Sequence, residues 1–599
     1  WEFRTRAMTA ADTSPPTQRS WRQLRPLLPY LRRYRGRVLL GLMFLFLTNL
    51  TSITGPLVIR EAINSIEHGV PSPEKLLLYA GLLLAIALAT GFFRFWQRWI
   101  LICVSRDVEY DLRNDLFRQL AKQSARFYTR WRIGDLMTRL TSDVQNVRMV
   151  LGPGVMYTAG SMLLFPLILI LMFYLNWRLT LVVLLPVPLV SLSMRVLGKL
   201  IHDFTERIQA KFSAMTARVQ ENLAGVRLLR AFVQEEAEER AFDVLNRDYV
   251  EENRRLIRFQ GLLWPALGLL LGVTFLLVFW LGGRDVLAGR LDVGSFYAFS
   301  HFLGMLIWPM IALGWVVNIF ERGAASMGRL NLLLTAAPEI VDRAPADAPA
   351  DIRGEIEFRN LNFFYNGVPV LTGITLQVPA GSTLAVVGPT GSGKSTLTSL
   401  VGRLYDAPDG AVLVDGRPVS AHCLETLRGA IGYVPQETFL FSDTLRENIA
   451  LGAPGASEEA VREAADIAGL TDDVEGFPRG FETLVGERGI TLSGGQKQRA
   501  ALARAVLRNP RILILDDALS SVDTQTEERI LRRLTAVMRA RTTILISHRV
   551  STVRHADQIV VLKEGRLVER GRHDELLARG GYYHELYQKQ LLEEELERA

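Results

Sequence analysis

Six apolar runs constrain this chain more than any other feature of its sequence. A membrane span needs about 20 mostly apolar residues. Runs of that kind lie at Val38–Ile59, Leu76–Leu101, Leu151–Tyr174, Leu179–Leu197, Leu262–Leu281 and Phe296–Val317. A stretch such as "LLLGVTFLLVFWLGG" is too long and too apolar for an ordinary buried helix. Ahead of the first run, "RSWRQLRPLLPYLRRYRGR" is basic and amphipathic, which predicts a helix lying along the membrane surface. Its Arg density places the N-terminus in the cytoplasm by the positive-inside rule. Six spans return everything after residue 320 to the same side. The connections after spans one, three and five are short. Those after spans two and four, about 102–150 and 198–261, are long and charged, and they read as helices reaching into the cytoplasm.

Polar residues inside the spans have modest readings. Pro186, Pro188, Pro265 and Pro309 fall where neighbouring helices tolerate kinks. Arg94 and Arg98, toward the cytoplasmic end of span two, read as snorkelling side chains. His301 and Trp308, in span six, read as packing residues rather than the lining of a substrate path.

After about residue 350 the apolar runs become short and Gly-punctuated, as in an α/β domain. The expected division is a disordered N-terminus over 1–19, a transmembrane domain over 20–323, an Ala/Pro/Asp-rich linker over 324–353 and a C-terminal domain over 354–599. "WEFRTRA", before Met8, reads as a foreign scar, and no cleavable signal-peptide pattern is evident. The net charge of +7 comes with no basic stripe interleaved with aromatics, so nucleic acid is not an expected partner. Juxtamembrane Arg facing anionic lipid accounts for it. Two distant cysteines, Cys103 and Cys423, indicate neither a disulfide framework nor a cysteine metal site. The fold class expected is therefore a membrane α-helical bundle of six spans with long cytoplasmic extensions, plus a C-terminal α/β P-loop domain.

"STLAVVGPTGSGKSTLTSL" reads as a buried strand, a Gly-rich turn and a helix. Within it, Gly388, Pro389, Thr390, Gly391, Ser392, Gly393, Lys394 and Ser395 match the phosphate-binding pattern G-x-x-x-x-G-K-[ST], with Thr396 following. The glycines let backbone N–H groups face a polyphosphate, and the helix N-terminus adds partial positive charge. Lys394 would reach the β- and γ-phosphates of ATP, and Ser395 would offer a hydroxyl to Mg²⁺. In "RILILDDALSSVD" an apolar strand ends in two carboxylates. Asp516 is placed to hold the Mg²⁺, and Asp517 to orient a water. A second cradle, Ser493, Gly494, Gly495 and Gln496, opens another helix. One chain thus carries two phosphate cradles and one Lys-bearing loop, which suggests head-to-tail pairing of two such domains.

Together these motifs resemble an ABC exporter half-transporter, six spans fused to one nucleotide-binding domain, over about residues 20–595. The resemblance implies further roles. Tyr365 in "LNFFYNG" is similar to the aromatic that stacks on adenine. Gln436 in "YVPQETFLF" resembles the Q-loop glutamine that reaches the metal. Glu487 in "TLVGERG" resembles the acidic residue of the exporter X-loop, Asp523 the D-loop aspartate at the dimer interface, and His548 in "ILISHR" the switch histidine on the γ-phosphate. "FYTRWRIGDLMTRLTSDV" and "ENLAGVRLLRAFVQEE" resemble the two coupling helices. The implied activity is ATP-driven export of hydrophobic or amphipathic molecules by alternating access. Drugs, lipids and peptides are all open as substrates, and the expected setting is the lipid bilayer of a bacterial cytoplasmic membrane.

One residue departs from the family pattern. Glu is expected directly after the Walker B aspartate, and this chain has Asp517. One methylene fewer withdraws the carboxylate by roughly 1 to 1.5 Å, a displacement that can cost about a hundredfold in rate. The expectation is a degenerate site in a heterodimer whose homologous partner supplies the catalytic Glu. The alternatives are an active homodimer and an ATP-binding regulatory subunit with little turnover.

Overall fold

The computed structural model describes residues 20–69, 72–342, 351–486, 492–539 and 541–598. The chain divides into two compact units. One comprises Trp1–Leu120 and Gly134–Thr335, the other Ala121–Ile133 and Ala336–Ala599.

The first unit is helical. A 3₁₀ segment, Ser20–Leu27, and a short helix, Leu28–Arg33, precede α1 (Arg35–Glu67) and α2 (Pro73–Ala121). On α2 the carboxylates of Asp107, Asp111 and Asp115 recur every fourth residue and so share one face. The elbow grips that face. Tyr30 donates to Asp115 at 2.9 Å, Tyr34 to Asp111 at 2.9 Å, and Arg37 pairs with Asp107. The third apolar run becomes α3 (Val155–Leu175), which continues a helical path from Ile133. Next come α4 (Trp177–Leu184), α5 (Val187–Ala224), α6 (Glu235–Leu287) and α7 (Val293–Leu334).

Among the described residues, five helices are long and apolar enough to cross a membrane. They cover five of the six expected spans. The fourth, Leu179–Leu197, is helical but broken between α4 and α5, where Leu185 and Pro186 form a turn. Pro186 cannot donate the backbone hydrogen bond that an unbroken helix needs there. Pro265 and Pro309, by contrast, sit inside continuous helices.

The expected start of the linker at 324 is corrected. Helix α7 runs on to Leu334, because Ala324, Met327, Leu330 and Leu333 form a buried stripe at helical spacing. Residues 343–350, the middle of the expected linker, and 1–19 lie outside the described residues. Asp143, 2% exposed, anchors the lower part of α7. It accepts from Ser326 at 2.9 Å and from Arg329 Nε at 2.9 Å. Asp143→Ala leaves that guanidinium without its carboxylate and should cost about 2 kcal/mol, read as a lower melting midpoint of the detergent-purified chain.

The second unit holds two sheets. One is antiparallel, β2-β1-β4-β5, formed by β1 (Ile356–Tyr365), β2 (Val368–Val378), β4 (Val412–Val414) and β5 (Arg417–Pro418). The other has the order β10-β9-β3-β8-β7-β6. Its members are β3 (Thr383–Val387), β6 (Ile431–Val434), β7 (Ile512–Asp516), β8 (Thr542–Ile546), β9 (Gln558–Lys563) and β10 (Arg566–Gly571). All its neighbours are parallel except β10, which runs antiparallel to β9. Strands β7 and β8 are buried at every position, as continuous apolar runs in a covered parallel sheet should be. Alternation sends Ile512, Ile514, Ile544 and Ile546 into one core, and Leu513, Leu515 and Leu545 into the other.

Candidate active site

Strands β3, β8 and β7 are parallel neighbours, so the segments after their carboxyl ends gather at one edge of the sheet. The turn after β3 is Gly388–Gly393, leading into α8 (Lys394–Val401). Its glycines are required by geometry. Gly388 has φ +150°, and a Cβ there would lie 2.0 Å from the Leu562 carbonyl oxygen. Gly393 has φ +100°, with Leu371 2.7 Å from a would-be Cβ. Thr390 and Gly391 are exposed at the tip, while Pro389 is half-buried. Lys394 Nζ donates to the Gly388 and Pro389 carbonyls, both at 2.9 Å. Burial pushes its ammonium below the ordinary value, and Asp516 and Asp517 act the other way. Ser395 and Thr396 lie in the first turn of α8.

The residues fit a polyphosphate. Ser392 Oγ is buried with no hydrogen-bond partner. The cradle also joins a helix N-terminus to a lysine and tolerates no side chain at two points. Asp516, 2% exposed, has the Ser395 hydroxyl beside it acting to lower its carboxyl, and the two are the pair expected to hold Mg²⁺. A magnesium ion takes few protein ligands and completes its shell with phosphate oxygens and water, which suits this pair.

Burial pushes the Asp516 carboxyl above its ordinary value. A raised carboxyl contributes stability that is complete below the unfolded-state value and is lost as pH rises through the folded-state value. At neutral pH its charge therefore costs stability. Asp516→Asn should raise the melting midpoint of the nucleotide-free chain at pH 7 to 8, with the gain shrinking toward pH 4, while the stabilisation by Mg-ATP disappears. Thermal scans across pH, with and without Mg-ATP, check both parts.

Asp517 follows directly. It is 6% exposed, has φ +51°, and its N–H donates to the Ile546 carbonyl at 2.9 Å. His548, just beyond β8, places Nε2 2.8 Å from Asp517 Oδ2. The carboxylate can only accept, so this nitrogen carries the proton. Residues not anticipated from sequence steady this contact. Glu527 accepts from Arg549 and Thr552, beside His548. Gln590, on the terminal helix, accepts from the Val550 N–H at 2.7 Å and donates to the His548 carbonyl. Gln498, 4% exposed, donates to Ser520 Oγ and accepts from the Ser521 N–H, both at 2.9 Å. Its place in "GGQKQR" was the only signal for it.

The remaining expected residues are placed unequally. Ser493 caps α9 (Gly494–Leu507) in a capping box, so Gln496 is committed to Ser493 and, at 2.9 Å, to Asp473. The Gln496 side chain thus holds the cradle rather than facing outward from it. A Cβ on Gly495 would meet the Ser521 carbonyl at 2.9 Å, so this turn also needs glycine. Asp523 caps α10 (Thr524–Met538), accepting from the Thr526 N–H at 2.9 Å, a bond that lowers its carboxyl. Gln436 lies exposed in the loop after β6, and no hydrogen bond joins it to Ser395 or Asp516. Tyr365 packs edge-on against Phe363 and Tyr405, with centroids 5.0 and 5.2 Å away. These rings border a cavity of about 330 Å³ together with Arg126, which directly precedes the segment resembling the first coupling helix. Glu487 lies outside the described residues.

Known proteins agree with this arrangement. The family described as "ABC transporter transmembrane region" matches residues 38–310, and "ABC transporter" matches residues 371–520. The multidrug resistance-like ATP-binding protein MdlA of Escherichia coli is 36% identical, over 95% of this chain and 97% of its own. The ATP-dependent lipid A-core flippase of Syntrophus aciditrophicus is 36% identical over 86% of each chain. A solved bacterial Atm1-family ABC exporter with ATP bound superposes with a TM-score of 0.77 at 31% identity, covering 93% of this chain and 99% of that one. Related over nearly its whole length, and with both family regions in one polypeptide, the chain belongs to the ABC transporter family as an exporter half-transporter with a fused ATPase domain.

Proposed function

We propose that this half-transporter exports hydrophobic or amphipathic molecules by alternating access, paired with a homologous chain that carries the catalytic Glu. Its own site binds Mg-ATP and turns it over slowly. The observation that carries this reading is Asp517. The short carboxylate stands where the family has Glu, and it is already engaged by His548 at 2.8 Å. The phosphates are assigned to Gly388–Thr396, the Mg²⁺ to Ser395, Asp516 and Gln436, and the base to Tyr365. His548 is assigned to the γ-phosphate. Ser493, Gly494, Gly495, Gln496 and Asp523 are assigned to the nucleotide on the partner's loop.

The substrate class is supported by the apolar spans and by the multidrug and lipid-flippase relatives. The basic elbow supports an N-terminus and ATPase domain on the cytoplasmic side of a bacterial cytoplasmic membrane. Steady-state phosphate release by the chain purified alone tests the reading. Near-background turnover with intact Mg-ATP binding is expected. Turnover at the rate of an ordinary active exporter would overturn the heterodimer.

A further inference from the structure

Strand β8 ends at Ile546 and the next helix begins at Val550. Ser547, His548 and Arg549 therefore cross a gap in which neither a ladder nor a helix holds the backbone. The gap matters most for His548. Its side chain is 52% exposed, and it meets Asp517 at 2.8 Å. Packing contributes little to where this imidazole points, so the course of its backbone decides.

That backbone is held from behind by the terminal helix, Tyr582–Arg598. The helix is fixed to its domain near its start. Tyr583 is 0% exposed, and Leu586 and Tyr587 pack against the same core. Glu569, on β10, accepts from the N–H groups of Tyr582 and Tyr583 at 2.6 and 3.3 Å. Gln590 follows Tyr583 by two helical turns and so lies on the same inward face.

At that position the Gln590 amide closes the gap. It accepts from the Val550 N–H at 2.7 Å and donates to the His548 carbonyl. These two backbone groups flank Arg549, whose own N–H goes to Ser547 Oγ at 3.0 Å. An amide carries a donor and an acceptor on one terminal group, which neither a carboxylate nor an ammonium can match. We infer that Gln590 is a positioning residue for His548. By clamping the chain on both sides of Arg549, it sets how the imidazole can reach a terminal phosphate. The inference rests on the assignment of His548 to the γ-phosphate. Gln590 acts only through that histidine, 42 residues away in the chain.

The test uses the detergent-purified full chain with its histidine rings labelled for NMR. The chain has eight histidines, and the signal lost in His548→Ala identifies the one concerned. In the wild type that signal should shift with Mg-ATPγS and not with Mg-ADP. Gln590→Met keeps the length of the side chain and removes both hydrogen bonds. It should lose most of the shift while Mg-ATP affinity is unchanged, because the Gly388–Gly393 turn and Asp516 are untouched. The Val550 amide should exchange its hydrogen faster in Gln590→Met and at the wild-type rate in His548→Ala. In the faster of wild type and Asp517→Glu, Gln590→Met should lower kcat at least about tenfold with KM unchanged, part of the hundredfold that a misplacement of about 1 Å can cost. A full shift in Gln590→Met, or unchanged Val550 exchange, would overturn the inference. So would loss of Mg-ATP binding along with the shift, which would make Gln590 a residue of the fold alone. A wild-type His548 signal indifferent to Mg-ATPγS, with Val550 still released in Gln590→Met, would instead sink the assignment of His548 and leave the clamp standing.

Discussion

Replacing Asp517 with Glu is expected to raise ATP turnover by the chain purified alone about a hundredfold. The added methylene advances the carboxylate by roughly 1 to 1.5 Å, and attack on a phosphoryl group is governed largely by positioning and electrostatics. The local frame should survive the change. The backbone N–H of Asp517 is held by Ile546, its carbonyl accepts from Ser520 at 3.0 Å, and the Gln498 lock involves no atom of its side chain. A modest loss of stability should accompany the gain. Residue 517 has φ +51°, and Asp tolerates that left-handed backbone better than Glu because its short side chain bonds locally. The measurement is phosphate release by wild type, Asp517→Glu and Asp517→Asn at saturating Mg-ATP. A strong gain in the Glu variant makes carboxylate reach the limiting factor. Equal rates in Glu and Asp, with loss only in Asn, would show that Asp517 already does the work, and the case for a Glu-bearing partner would fall.

Lys394→Ala should weaken Mg-ATP binding to this chain's own site by about 100- to 1,000-fold, equivalent to about 3 to 4 kcal/mol of charge-assisted contact. Lys394 is the one cation in the loop, it is desolvated, and its Nζ is held at the loop's mouth by the Gly388 and Pro389 carbonyls. A triphosphate offers it far stronger acceptors than two carbonyls. The fold should persist, because the glycine geometry and the buried strand β3 do not depend on the lysine. Equilibrium binding of a fluorescent ATP analogue gives the affinity. A decrease of less than tenfold would remove Lys394 from its assigned role.

Legibility followed range. The phosphate loop could be read because its requirement is confined to one strand, one turn and the start of one helix. The same holds for the Ser493 cap and for the strand ending in Asp516. Five spans could be read because length and apolarity are local sums. The linker was less legible, because it was decided by a balance, and the fourth apolar run is helical on either side of a two-residue turn at Leu185 and Pro186. At Ala324–Leu334, a stripe of four buried residues outweighed a composition that reads as linker, and α7 continued. The buried positions of that stripe carry contacts from distant elements, Asp143 to Ser326 among them, which no window of sequence contains.

By itself the sequence determined that this chain has apolar helices of membrane length followed by a P-loop domain, and that Asp517 follows the strand-end carboxylate Asp516. Only the tertiary structure decided what surrounds that Asp. Strands β7 and β8 are parallel neighbours, and this pairing brings His548 to Asp517 across the intervening helix α10. Only the tertiary structure, too, placed Arg94 and Arg98 together on the lining of a cavity within the first unit. The physical reason is the same in both cases. Apolar periods and loop motifs are set by bonded neighbours, whereas the partner of a charge is set by which elements pack together.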